Sequence, residues 1–355
     1  MENERVIDRK KMLGYSAVLS ILVVLIHTEN LANFSVSPDG SLLDRFVYFF
    51  ERFISGNIAK IGVPSFFMLS GVLFYRDFDL KKYPEKMKKR FFSLLIPFFL
   101  WNFFRFAFFY ALGKWDIAGR FLSINPIYFT TQNLINSIFF YKYNLGYWFM
   151  YQLILYTILS PLIYILLKNK KVAVLSLIAL FVVFSTDVLG ELSLNVFRGR
   201  FIQIDGLFHY MFGAFFGMHY FDIVNKKGKN VTSWALFGIL LGQALFIAFN
   251  RTHILAFYLL FCTVSSVSFW YAYDALVKRE ITTKISTITF FIYSAHGTVL
   301  ELLQAMFGAL VPKNSAFALF EYLLLPALTL TILVLVSLFL KKYMNGIWRV
   351  LNGSR

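Results

Sequence analysis

Three side chains of this sequence stand where ionisable groups are costly: His27, Arg105 and His296. Each is embedded in an apolar run long enough to cross a bilayer, for which about 20 residues at about 1.5 Å each suffice. Counted from the basic end of its run, His27 lies about 15 residues in, Arg105 about 14 and His296 about 11. All three therefore fall in the middle to outer half of a membrane. A lenient insertion scale charges about 2.5–3.5 kcal/mol for a central arginine, so such groups seldom face lipid. A neutral imidazole at that depth can accept a proton as a general base. A structural alternative stays open. A histidine there can simply bond a neighbouring helix, and Arg105 can form a neutral pair with Glu301 or Glu29 that only locks helices.

Other polar residues carry weaker signals. His209 and His219 lie about ten residues apart on different helix faces, which suits packing or interfacial roles. His253 falls in a short connection and is expected to be solvated. No HExxH-like or paired His/Asp spacing marks a metal site, so none is expected. The pair Gly213 and Gly217 has the spacing of close helix packing. The basic stretch Lys81 to Arg90 is a topology signal that would also attract an anionic ligand.

The elements that must position these groups follow from composition. The chain of 355 residues is 58% hydrophobic and 15% charged, with mean hydropathy +0.64. A soluble domain carries about a quarter charged residues, so an all-α integral membrane protein is expected. Forty-four Phe and 20 Tyr suit ring-filled helix packing and aromatic belts. A net charge of +16 is compatible with nucleic-acid binding, but the basic residues cluster in alternate loops, as topology requires. The single cysteine, Cys262, excludes an intramolecular disulfide framework.

Hydrophobic runs predict about ten spans, at 12–34, 58–75, 91–112, 146–167, 172–189, 201–221, 234–249, 254–273, 285–307 and 317–340. The first, behind Arg9, Lys10 and Lys11, reads as a retained signal anchor, because no small-residue cleavage site follows it. Residues 43–54 suit a short interfacial helix, and 113–144 a long mixed loop with a partly inserted helix near 134–141. The basic loops at 76–90, 168–171, 226–229 and 278–284 place both termini in the cytoplasm, with one multi-pass domain and no appended soluble domain.

Five stretches carry a resemblance to a known family. They are VVLIH at 23–27, GVPSFFMLSGVLFYRD at 62–77, KKRFFSLLIPFFLWN at 88–102, GYWFMYQLILYTILSPLIY at 146–164 and FFIYSAHGTVL at 290–300. In order and spacing they resemble the membrane acyltransferase 3 family, which includes O-acyltransferases of bacterial surface polysaccharides. The resemblance implies acyl transfer from cytoplasmic acyl-CoA to a hydroxyl of a glycan or lipid-linked sugar. Acetyl-CoA is the leading donor, succinyl the other acyl group considered. It implies His27 as the base and carries the family's late histidine onto His296. Where the family usually has two further arginines, this chain has Ser16 and Ser93. Arg90, Lys88 and Lys89 remain as the expected docking surface for the phosphates of CoA. Arg105 could stabilise the developing oxyanion.

The competing reading is a transporter of polysaccharide or lipid-linked sugar that makes no bond; a third is an inactive relative serving as an assembly partner. No duplicated halves or paired broken helices favour transport. The expected partners are acyl-CoA, the acceptor glycan and membrane lipid, without nucleic acid and with homo-oligomerisation left open. A bacterial inner or plasma membrane is the expected location.

Overall fold

The computed structural model describes residues 7–115, 127–187, 201–277 and 285–353. Basic residues expected at topology-setting positions, including Lys278, Arg279 and Lys284, lie outside these stretches, as do Glu191, Arg198 and Arg200. Among the described residues the chain is helical, with no strand. Apolar runs without interior water leave the helix as the way to satisfy every backbone N–H and C=O locally. Six helical stretches are long and apolar enough to cross a membrane: Arg9–His27, Leu42–Tyr75, Leu80–Leu112, Lys229–Thr252, Leu255–Leu276 and Ser315–Tyr343. Residues 145–168 add a seventh if its two bent helices count as one span. The chain is a multi-pass membrane protein. The sequence reading of ten spans also counts Lys170–Ser185, Ile204–His219 and Thr289–Leu310. The first two have 16 residues each, about 24 Å, short of a full hydrocarbon core.

Several boundaries differ from the sequence reading, each for a local reason. Helix α1 spans Arg9–Ile26 rather than 12–34. The Leu25 carbonyl accepts from the Thr28 Oγ1 hydroxyl at 2.9 Å and from Ser55 Oγ at 2.5 Å, and the chain turns there. Helix α2 (Leu42–Ile54) starts at a capping box in which Ser41 and Asp44 bond each other's backbone N–H. Helix α3 (Gly62–Tyr75) follows. The basic stretch read as a loop is itself helical: α4 (Tyr83–Arg90) runs through a wider turn at Phe91–Leu95 into α5 (Ile96–Leu112). Pro97 explains that turn, since it has no N–H to offer the Ser93 carbonyl one turn earlier. The expected helix near 134–141 is α6 (Thr131–Phe140). The fourth predicted span is broken into α7 (Trp148–Ile158) and α8 (Ser160–Lys168), bent by 66° just ahead of Pro161. Then come α9 (Lys170–Ser185), α10 (Ile204–His219), the single turn α11 (Phe221–Val224), α12 (Lys229–Thr252), α13 (Leu255–Leu276), α14 (Thr289–Leu310), α15 (Ser315–Tyr343) and α16 (Asn345–Leu351).

The described chain divides into two compact units. The first contains residues 1–19, 61–90 and 149–286. Its tightest seam is α3 against α10. A Cβ on Gly71 would collide with the Tyr210 carbonyl oxygen, and one on Gly213 with that of Met68. Neither backbone carbonyl can move aside as a flexible side chain would, so the spacing read from Gly213 and Gly217 is a packing device. Gly213→Ala should destabilise by about 1–3 kcal/mol, the scale of overpacking. Thermal unfolding in detergent at the wild-type midpoint would show that the two helices are not held at this distance. In the same unit Lys11, read from sequence as a topology flank, is buried. It pairs with Asp274 at 2.7 Å and lies 4.4 Å from the Trp270 ring centre.

The second unit contains residues 20–60, 91–148 and 287–355. Phe98, Phe106, Tyr147 and Phe291 are fully buried in it. Helix α2 packs on α15 through Val47, while Phe46, Phe49 and Phe53 are exposed. That split suits the interfacial helix expected there.

Candidate active site

His27, Arg105 and His296 all belong to the second unit, and they line one cavity of about 400 Å³. His27 lies one residue beyond the end of α1, so its ring is freed from the helix and is exposed to the cavity. The turn that carries it is tied down on two sides. The Asn30 N–H donates to Glu51 at 3.1 Å, and the Asn30 side chain donates to the Ala318 carbonyl at 3.1 Å. Gln304 of α14 donates to the His27 carbonyl at 3.3 Å. Every one of these bonds holds the backbone around His27 and leaves its imidazole alone.

His296 sits on α14, almost fully buried, with its ring centre 5.3 Å from that of His27. Its Nδ1 lies 2.8 Å from the Tyr293 carbonyl and 3.0 Å from that of Ile292. A carbonyl only accepts, so Nδ1 carries the hydrogen and Nε2 of the neutral ring keeps the lone pair. The helix thus fixes the tautomer of His296, whereas nothing of the kind fixes His27.

Arg105, on α5, is held at each of its nitrogens. Its Nε donates to the Tyr143 carbonyl, Nη1 to the Thr298 hydroxyl at 2.8 Å, and Nη2 to Glu301 in a charge-assisted bond. The guanidinium also lies 4.7 Å from the Phe109 ring centre. The sequence left two partners open for this arginine. Glu301 is the one; Glu29 pairs with Arg52 at 3.3 Å. A guanidinium has five N–H donors, and these three bonds leave two for a ligand.

Tyr147 and Tyr293 close one wall. Their rings stack at 5.7 Å, with the Tyr147 hydroxyl on the Ser294 carbonyl and the Tyr293 hydroxyl on the Gly146 carbonyl. Lys142, Asn144, Ser294 and Gln304 are further polar residues of the lining. Sequence reasoning missed Lys142, Tyr143, Tyr147, Thr298 and Gln304 as site residues. One signal was available on α14. Tyr293, His296, Gly297, Leu300, Glu301 and Gln304 recur at helical spacing and all line the cavity.

His209 and His219 have packing partners, as their spacing suggested. His209 is buried, with Nδ1 2.6 Å from the Asp205 carbonyl and Nε2 3.2 Å from Thr263. His219 sits 2.7 Å from the Leu167 carbonyl. His253 is exposed, at a left-handed turn. Among the described residues no three or more His, Cys, Asp or Glu side chains are grouped to hold a metal.

Lys88, Lys89 and Arg90 belong to the first unit, at the end of α4, and do not line this cavity. They differ in availability. Lys89 pairs with Glu85 at 2.6 Å across one exposed turn, Lys88 is exposed, and Arg90 turns over the Phe74 ring at 5.6 Å. Lys86, one turn before Arg90, donates to the Phe74 carbonyl at 2.6 Å and so caps the end of α3.

A family model described as an acyltransferase domain fits residues 17–341, which takes in every residue of this cavity. No curated protein and no solved structure matches the chain.

Proposed function

This chain belongs to the acyltransferase 3 family, and from that membership we propose that it is a membrane O-acyltransferase of surface glycans. It moves an acyl group, acetyl first and succinyl second among the candidates, from acyl-CoA to a hydroxyl of a polysaccharide or lipid-linked sugar. The observation that carries this reading is the single cavity shared by His27, His296 and Arg105.

The chemistry assigns each group a task. His27 takes the proton of the acceptor hydroxyl as its oxygen attacks the thioester carbon, a step worth about 10²–10⁴-fold. The carbonyl oxygen becomes an oxyanion, which the two remaining N–H groups of Arg105 bond. Collapse of the tetrahedral intermediate breaks the carbon–sulfur bond. The CoA thiolate leaves and takes up the proton that His27 holds. His296, whose Nε2 keeps its lone pair and whose ring centre lies 5.3 Å from that of His27, takes an N–H from His27 when that ring turns to the acceptor, and so is a positioning residue for it. Glu301 and Thr298 are positioning residues for Arg105.

The purified protein in nanodiscs should release free CoA thiol from acetyl-CoA only when an acceptor oligosaccharide is present. The oligosaccharide should gain the mass of one acetyl ester. Uptake of labelled oligosaccharide into proteoliposomes without ester formation would put a transporter in place of the enzyme.

The donor's phosphates are assigned to the basic end of α4. Replacing Lys88, Lys89 and Arg90 together by glutamine should weaken acyl-CoA binding about tenfold at low salt and flatten its salt dependence. Unchanged affinity with an unchanged salt slope would reduce this stretch to a topology signal.

A further inference from the structure

Lys142, an exposed residue, lines the cavity and is not used by the reaction above. Its Nζ donates to the neutral Oδ1 of Asn133 at 2.9 Å and lies 5.2 Å from the Tyr143 ring centre. Neither partner carries negative charge. Glu301, the carboxylate among the described lining residues, is already bonded to Arg105. Lys142 therefore brings to the cavity lining a cation that no carboxylate among the described lining residues pairs with.

The position of Lys142 is built rather than incidental. The preceding residue, Tyr141, has φ +43°, left-handed backbone that a bulky side chain adopts only under strain. Tyr141 is held there by burial, with its ring against Phe98. The Lys142 N–H returns to the Asn136 carbonyl at 3.1 Å, and the next carbonyl, that of Tyr143, accepts from Arg105. Lys142 thus belongs to the same turn that positions the catalytic arginine.

We propose that Lys142 binds an anionic group on the acceptor, a carboxylate or a phosphate of an acidic sugar. The inference rests on the acyltransferase reading of this cavity. A lysine ammonium is a compact charge with three donors, suited to either anion. The phosphates of CoA are a poor fit, because the pantetheine arm holds them far from the thioester that must reach His27. A carboxylated acyl group such as succinyl is the other source of an anion so close to the reacting atoms.

Calorimetric titration of the purified protein in nanodiscs separates these cases. The probes are glucuronate, glucose 1-phosphate and neutral methyl glucoside, with succinate and adenosine 3′,5′-bisphosphate standing for the donor side. The acidic sugars should bind about five- to tenfold more tightly than methyl glucoside, the scale of one partly exposed charge-assisted bond. Lys142→Gln should abolish that preference and Lys142→Arg should retain it, with thermal unfolding of both variants near wild type. Equal or absent binding of the acidic sugars, or a preference that survives Lys142→Gln, overturns the proposal. So does a loss confined to succinate or adenosine 3′,5′-bisphosphate, which would make Lys142 a donor-side residue. Binding is read here without acyl transfer. A protein that prefers acidic sugars yet forms no ester would keep the anion site and lose only the enzyme reading.

Discussion

His27→Asn should lower acyl transfer about 100-fold or more while leaving thermal unfolding in detergent close to wild type. The rate loss is the scale set by a general base, since an amide keeps hydrogen-bonding capacity but accepts no proton near neutral pH. The stability expectation comes from what holds this residue. Its turn is tied by the Asn30 backbone and side chain and by Gln304 on the His27 carbonyl, and all of these survive the substitution. The imidazole itself is exposed to the cavity and touches the His296 ring. Alanine would be a poorer probe, because it removes that contact along with the base. An Asn variant that acylates the acceptor at the wild-type rate would leave His27 a structural residue. Coincident losses of rate and unfolding temperature would show that the turn, and not the base, had been damaged.

Arg105→Gln should cost about 10²–10³ in rate, the range for removing one group that stabilises an oxyanion. Here a stability effect is expected as well. The change strands the Tyr143 carbonyl, the Thr298 hydroxyl and the Glu301 carboxylate together. Breaking a fully buried pair costs about 3–5 kcal/mol. Glu301 keeps 46% of its side chain exposed, so water can solvate it and about 1–2 kcal/mol is the better figure. Glu301→Gln separates the two effects. It leaves the guanidinium in place with a neutral partner, so the rate should fall less than in Arg105→Gln. The double variant should be less destabilised than the sum of the two, because a neutral amide in place of the carboxylate no longer needs a cation. A rate within threefold of wild type in Arg105→Gln would remove the arginine from the chemistry and leave it a helix lock.

How far the site could be read in advance differs from residue to residue. The expense of a charge in hydrocarbon singled out Arg105, and the same argument left its partner open between Glu29 and Glu301. Only the approach of α14 to α5 chose Glu301, while Arg52 on α2 took Glu29. The depth of His27 was legible, but its place past the end of α1 was not. That end is made by Ser55, a residue 30 positions away that competes for the Leu25 carbonyl. The basic stretch before Phe91 read as a loop because lysine-rich segments usually flank spans. Lys86 on the α3 terminus and the wide turn ahead of Pro97 keep it helical.

By itself the sequence determined the class: helices, because apolar runs in a membrane must bond their own backbone, and the costly residues that such runs carry at depth. It determined the family too, since five short stretches in order extend over nearly the whole chain. Tertiary structure decided what those residues can do. Which nitrogen of a histidine stays available depends on which is bonded, and at His296 the Tyr293 carbonyl takes Nδ1 and leaves Nε2. Whether a cation is spent depends on which oxygens reach it: Arg105 meets the Glu301 carboxylate, whereas the ammonium of Lys142 bonds the neutral amide oxygen of Asn133. Hydrophobic burial sets the period and length of each helix but is indifferent to direction around it. Hydrogen bonds and ion pairs are directional, and they exist only once the helices have met.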